Sequence, residues 1–357
     1  MFPDQVCSGS NVIEVKRSWD AYFMRPGFCC VPKGTSKKKG ENRMREKEFM
    51  EMAKQEILRQ LPEDVKNGLN LKEVEVLKIN DQKNHGFCFQ QNGSKASPTL
   101  YLDQAYDLFR RGTSLECLME DVTRAYLKSI DRGIQGMDTE ALDLSFENIR
   151  DKLSLRLVET KRNREFLMDK PYLDVENGLA LICDVQFSRN VSECVCTVVN
   201  NEIAEANGYD KDELFREAIR NAVKMDPPQM MGLQDVVFGD KDGRNLLSGT
   251  DAPLKENAGS LEPIYLISSR SRQFGAAAFF YPGVKEQAAD ILGEGYTVLP
   301  SSLHEVLLVP DSSQIPVRDL QNMVKETNRS QVEPKDILSD NIYHFDNFQG
   351  KLSTIHL

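Results

Sequence analysis

Apolar residues recur every four positions from Phe49 through Ala53, Ile57 and Leu61, the spacing that lays a stripe along one helix face, and Pro62 closes the segment. A folded domain is expected to open here, near Arg45. Val74, Val76 and Ile79 then alternate, as do Phe87 and Phe89, and the turn-rich Asn80-Asp81…Asn84-His85-Gly86 between them predicts a β-hairpin. A short strand is expected over 98–102. Asp103 to Arg111 reads as a helix stopped by Gly112, and Thr113-Ser114-Leu115-Glu116 has the capping-box form that starts another. Leu115, Leu118, Met119, Val122 and Tyr126 make its apolar face.

Leu153, Leu155 and Leu157 alternate as in a strand, Lys161-Arg162-Asn163-Arg164 opens a polar helix, and 179–187 and 194–199 read as paired strands. Asn200 or Asn201 caps a short helix that ends at Gly208. Asp210 starts a longer one carrying Leu214, Phe215, Ala218 and Val223, and Pro227-Pro228 stops it. From 239 to 263 the chain turns polar and glycine-rich, which predicts a surface loop or linker. Beyond it come strands at 264–267 and 276–281, a helix at 284–292, strands at 296–299 and 306–309, a helix at 317–327 and a last strand at 342–345. These form a βαββα-like unit. The predicted fold class is α+β, with mixed or antiparallel sheets, packed helices and two subdomains, 44–238 and 264–357.

Residues 1–43 break the pattern. They lack sustained periodicity, hold the single Trp (Trp19) and the run Lys37-Lys38-Lys39, and carry eight basic against four acidic residues in a chain of net charge −10. Lys39-Gly40-Glu41 is encodable by a purine-rich ribosome-binding core just ahead of Met44. The reading is therefore a non-native or disordered extension with translation starting at Met44; the alternative is a genuine basic tail for acidic partners.

No run approaches the roughly 20 apolar residues of a membrane span, and the N-terminus has no secretory-signal pattern, so the expectation is a cytoplasmic protein without membrane contact. Net charge −10 repels phosphate backbones, so nucleic acid is not an expected partner without a local basic face. The helical pair over 103–132 is the place to look for one. There Arg110, Arg111, Arg124, Lys128 and Arg132 interleave with Asp107, Glu116, Glu120 and Asp121, which fits a packed helical hairpin better than a DNA reader. Eight cysteines without framework spacing read as reduced thiols, and Cys194 and Cys196 as small apolar strand residues.

Asp240-Lys241-Asp242-Gly243 has the look of a calcium loop, but its frame puts Phe238 and Gly249 at the first and twelfth positions, where carboxylates are needed. The densest polar cluster is Leu299 to Val306, which places Ser302 and His304 on one side of an extended segment. Ser301 or Ser302 as nucleophile, His304 as base and an acid from elsewhere in the chain, Asp340, are the candidate catalytic residues, with the adjacent Glu305 counted among them. The plainer account is a turn whose hydroxyls bind backbone amides. No phosphate loop, dinucleotide fingerprint or metal-ligand histidine spacing occurs, so neither cofactor nor metal is expected. The aromatics Tyr265, Phe274, Phe279, Phe280 and Tyr281 read as sheet core.

Several segments in order carry a resemblance: Pro98 to Leu102 before Tyr106, Gly112 to Glu116, Phe274-Gly275-Ala276-Ala277, Tyr281-Pro282-Gly283, Leu299 to Val306, and Leu338-Ser339-Asp340-Asn341-Ile342-Tyr343. On these the chain resembles a bacterial family filed as a domain of unknown function and met in anaerobic Gram-positive bacteria. The resemblance implies kinship and no activity. Three readings stay open: a noncatalytic binding or regulatory module with a protein partner, a hydrolase built on Ser302 and His304, and nucleic-acid binding through the helical pair.

Overall fold

The computed structural model describes residues 14–17, 41–92, 99–131, 144–189, 193–238, 245–249, 263–300 and 302–357. The chain runs through β1 (Glu14–Arg17), α1 (Glu41–Gln60), β2 (Leu69–Lys78), β3 (Gln82–Gln91), β4 (Thr99–Tyr101), α2 (Asp103–Arg110) and α3 (Leu115–Asp131). Then come β5 (Leu153–Glu159), β6 (Tyr172–Asp174), β7 (Leu179–Arg189), β8 (Glu193–Val198), α4 (Asn201–Ala206), α5 (Lys211–Met225) and β9 (Pro228–Gly232). Next are α6 (Leu233–Phe238), β10 (Tyr265–Ser269), α7 (Val284–Leu292), β11 (Tyr296–Leu299) and β12 (Val306–Pro310). The chain ends with α8 (Val317–Ser330), β13 (Tyr343–Asp346) and β14 (Lys351–Thr354). This is an α+β fold with antiparallel sheets and packed helices. Two compact units divide it: one holds 18–77 and 83–143, the other 13–17, 78–82 and 144–357.

In the first unit the sheet order is β2-β3-β4. Phe49, Ala53 and Ile57 of α1 are fully buried, and Leu61 nearly so, as their spacing requires. They share a core with Phe87 and Phe89 of β3 and with Leu118, Met119, Val122 and Tyr126 of α3. Each such large side chain contributes roughly 1.5–3 kcal/mol. The helical pair thus turns its apolar faces inward, and Arg124 pairs with Glu120 and Asp121. The cap of α3 is Ser114, whose hydroxyl accepts from the Cys117 N–H at 3.3 Å. The hairpin turn is tighter than predicted: Asn80 (φ 63°) and Asp81 (φ 51°) both take the left-handed conformation of a two-residue turn, and Asn84-His85-Gly86 lies inside β3.

The second unit has two sheets. One runs β1-β8-β7-β5 with β6 also on β7, the other β14-β13-β11-β12-β10-β9. Its caps follow the sequence: Asn200 accepts from the Ile203 N–H at 2.8 Å and Asp210 from the Glu213 N–H at 2.9 Å. Leu214, Phe215 and Ala218 of α5 are buried, whereas Val223 is exposed.

Three expectations are corrected. The predicted strand at 276–281 is a 3-10 helix, Gly275–Phe280, with Ala276, Ala277 and Ala278 fully buried. A Cβ on Gly275 would sit 2.1 Å from Ser268 Oγ and 2.7 Å from the His304 carbonyl, so only glycine lets the start of this segment come so close to β10. The aromatics Phe274, Phe279 and Tyr281 are core residues, but not of a strand. The polar helix at 161–164 is a run of turns, because side chains take over its backbone groups. Asn163 Nδ2 donates to the Glu159 carbonyl at 2.8 Å, and Asp81 accepts the Glu165 and Phe166 N–H groups. Finally, β9 pairs with β10, so residues before and after 239–263 share one sheet and the division of the chain does not fall there.

Candidate functional site

Between β11 and β12 the chain makes a turn that closes on itself. The buried Ser302 hydroxyl donates to Glu305 Oε1 at 2.8 Å and accepts from the His304 N–H at 3.0 Å. The Ser302 N–H donates to the Glu305 carbonyl at 3.3 Å. Serine here acts as a turn former.

The His304 ring faces the segment after β10. Its Nδ1 accepts from the Phe274 N–H at 3.2 Å, which places the ring proton of the neutral form on Nε2. Nε2 stands 3.8 Å from Asp336 Oδ1, and the imidazole is 35% exposed. The ring stacks on Phe274 with centroids 5.6 Å apart, and the Arg156 guanidinium lies 3.8 Å from the centroid of that same phenyl ring. Arg156 and Asp184 are both 1% exposed. Nε and Nη2 donate to Asp184 Oδ2 at 2.9 and 2.7 Å. A buried ion pair, an aromatic ring and a half-exposed imidazole therefore stand in series across the two sheets.

The segment joining them is strained. Arg272 (φ 57°) and Phe274 (φ 55°) are both left-handed without being glycine, at roughly 1–3 kcal/mol each. Side chains hold them there. Asp226 accepts from the Ser271 N–H at 2.7 Å and the Ser271 hydroxyl at 2.8 Å, and that hydroxyl accepts from the Gln273 N–H at 3.2 Å. Arg270 and Arg272 are exposed beside them.

The predicted site is thus assembled only in part. Ser302, His304 and Glu305 share the turn, whereas Ser301 lies outside the described residues. Asp340 is engaged elsewhere: Oδ1 accepts from Asn328 Nδ2 at 2.9 Å and Oδ2 pairs with Arg162, which also reaches Glu159 Oε2 at 3.1 Å. Glu159 Oε1 in turn accepts from the Ser339 hydroxyl at 2.7 Å and Asn341 Nδ2 at 3.0 Å. The Tyr343 hydroxyl donates to Ser339 Oγ, and burial pushes its pKa up to about 12. This network ties β5 to the segment ahead of β13. The carboxylate beside His304 is Asp336, which has no local sequence signal, and neither Arg156 nor Asp226 was legible as a neighbour.

An open cleft of about 400 Å³ lies between β6 and helices α4 and α5. Lys170 and Lys211 line it, but so does Asp174, and Asp169 sits 2.5 Å from the Lys170 ammonium, so no single ligand charge is favoured. Among the described residues no group of three or more His, Cys, Asp and Glu is arranged to hold a metal. Nor is any helix among them long and apolar enough to cross a membrane.

Residues 46–347 match the model of the Family of unknown function (DUF5688), a span that takes in the strained 271–275 segment, the Ser302 turn and the Asp340 network. The chain belongs to this family. No curated protein and no solved structure matches it. Family membership therefore brings kin without an activity, and the chemistry has to be argued from the site.

Proposed function

We propose that this family member is a noncatalytic binding or regulatory protein, and that its recognition surface centres on His304 and the strained segment from Ser271 to Gly275. One observation carries the reading: the Ser302 hydroxyl donates to Glu305 and not to the His304 ring, whose Nδ1 is occupied by a backbone amide. The Ser–His hydrolase needs the imidazole as the base of the serine, and here the hydroxyl is taken up by Glu305 within the turn while His304 Nδ1 accepts from the Phe274 N–H. Strain retained beside two exposed arginines, Arg270 and Arg272, while Phe274 stays buried, fits a surface shaped for contact. The partner is a protein, and the setting is the cytoplasm of an anaerobic Gram-positive bacterium. Cys88, Cys117, Cys183 and Cys196 are free thiols, which fits a reducing compartment.

The test uses the full chain with a photo-crosslinking side chain at Gln273, expressed in its native host. A discrete crosslinked partner, kept in Ser302→Ala and lost in Arg272→Glu, is the expected result. No crosslink under any growth condition overturns the reading. So does a hydrolytic activity that disappears in Ser302→Ala.

A further inference from the structure

We propose that His304 is a pH-sensitive latch on the strained segment from Ser271 to Gly275, closed when the imidazole is neutral and released when it is protonated. The latch is a hydrogen bond of fixed polarity. Phe274 N–H donates to His304 Nδ1 at 3.2 Å, and only an unprotonated ring nitrogen can accept it. Protonation puts a hydrogen on Nδ1 that points at the amide hydrogen, so attraction becomes repulsion at the residue whose backbone is left-handed. Imidazole is the side chain that makes this change near neutral pH.

The surroundings favour a switch over a passive contact. Asp336 Oδ1 stands 3.8 Å from Nε2, placed to pair with the cation once it forms. Arg156 lies beyond the Phe274 ring, with its charge matched by Asp184. Glu305 is held by Ser302, and Asp226 is held by Ser271 at the far side of the segment. Arg272 belongs to the segment itself. The ring also rests on Phe274 at 5.6 Å, so release of the amide loosens a stacking pair along with the turn. Acid then frees Phe274 while the Asp226 anchor at Ser271 persists, so the motion is confined to the His304 side.

Regulation of partner binding by this latch rests on the reading of the segment as a recognition surface. The latch itself is measured on the protein alone, so failure of one is distinguishable from failure of the other.

Amide hydrogen exchange of the full chain, corrected for intrinsic rates, tests it between pH 8 and pH 5.5. Protection of the Phe274 amide is expected to fall at least tenfold on acidification, with the Ser271 amide changing less than twofold. In His304→Asn the side-chain carbonyl stands where Nδ1 stood and accepts the same hydrogen bond without titrating. Protection there is expected to be flat with pH. A wild-type profile that is itself flat, or a His304→Asn profile that still falls tenfold, overturns the proposal. Should His304→Asn not fold, NMR titration of the wild type decides: the Phe274 amide and the His304 ring must share one midpoint, and separate midpoints overturn it.

Discussion

Ser302 and Glu305 are joined side chain to side chain across 2.8 Å, hydroxyl to carboxylate, within one turn. Removing that hydroxyl leaves Glu305 Oε1 and the His304 N–H without their partner. Ser302→Ala is expected to lower stability by about 1–2 kcal/mol, read from the urea midpoint. A Ser302→Ala protein as stable as the wild type would mean that the turn does not depend on its serine.

The Arg156–Asp184 pair is buried on both sides, so breaking it by halves is worse than removing it whole. Asp184→Ala leaves a buried guanidinium without its carboxylate and is expected to cost about 3–5 kcal/mol. The double replacement Arg156→Met with Asp184→Leu should recover most of that loss in the same urea experiment. Equal losses in the single and double variants would contradict this account.

Gly275 and Gly293 separate two reasons for glycine. At Gly275 a methyl group would meet Ser268 Oγ at 2.1 Å and the Ser269 backbone nitrogen at 2.4 Å, whereas at Gly293 nothing lies within 4 Å and only the left-handed φ of 76° resists. Gly275→Ala is expected to lose about 3 kcal/mol or more through overpacking, and Gly293→Ala about 1–2 kcal/mol. Thermal melts of the two variants rank them, and the reverse order would be inconsistent with the packing around β10.

Alkaline pH acts on Tyr343. Burial raises its pKa to about 12, so the native state keeps a proton that the unfolded chain loses near pH 10. Its stabilising contribution is complete below pH 10 and lost as pH rises from 10 to 12, on the order of 2–3 kcal/mol in all. Tyr296, pushed up further by burial, acts in the same direction. Tyr343→Phe should flatten the fall in stability over that interval, and an unchanged slope would assign the loss to other groups.

Acid acts on Glu75. The hydrogen bond from His85 holds its carboxyl below the usual carboxylate range, with Lys83 adding to the effect. A lowered native pKa adds stability above the unfolded value of about 4.3, and that contribution disappears as pH falls through the native one. Glu75→Gln should show a shallower loss of stability below pH 5 by circular dichroism; an identical acid limb would remove Glu75 from the account.

Where side-chain period alone decides the backbone, the sequence was readable. Phe49, Ala53, Ile57 and Leu61 mark α1 because nothing competes with the helix there, and the caps at Asn200 and Asp210 are local by nature. Reading failed where a distant group takes over a backbone. Asn163 and Asp81 turn a helical-looking polar run into turns, and the alanine run that follows the close-packed Gly275 is a 3-10 helix. Short strands were also missed: β14 buries only Leu352, and β9 hides behind Pro227-Pro228. At the site, the Ser302 turn was visible as a cluster of hydroxyls. Its true neighbours Asp336, Phe274 and Arg156 come from other elements, so no spacing rule reaches them.

The pairing of β9 with β10 has a practical outcome. Met231 faces Leu266 and Met230 faces Ile267 in that ladder, so a cut between Phe238 and Pro263 leaves β9 on one piece and the other five strands of the shared sheet on the second. Two halves that meet within that interval would each keep one side of the β9–β10 ladder, the first having to run past Asn245, whose side chain bonds the β9 backbone at Met230 and Pro228.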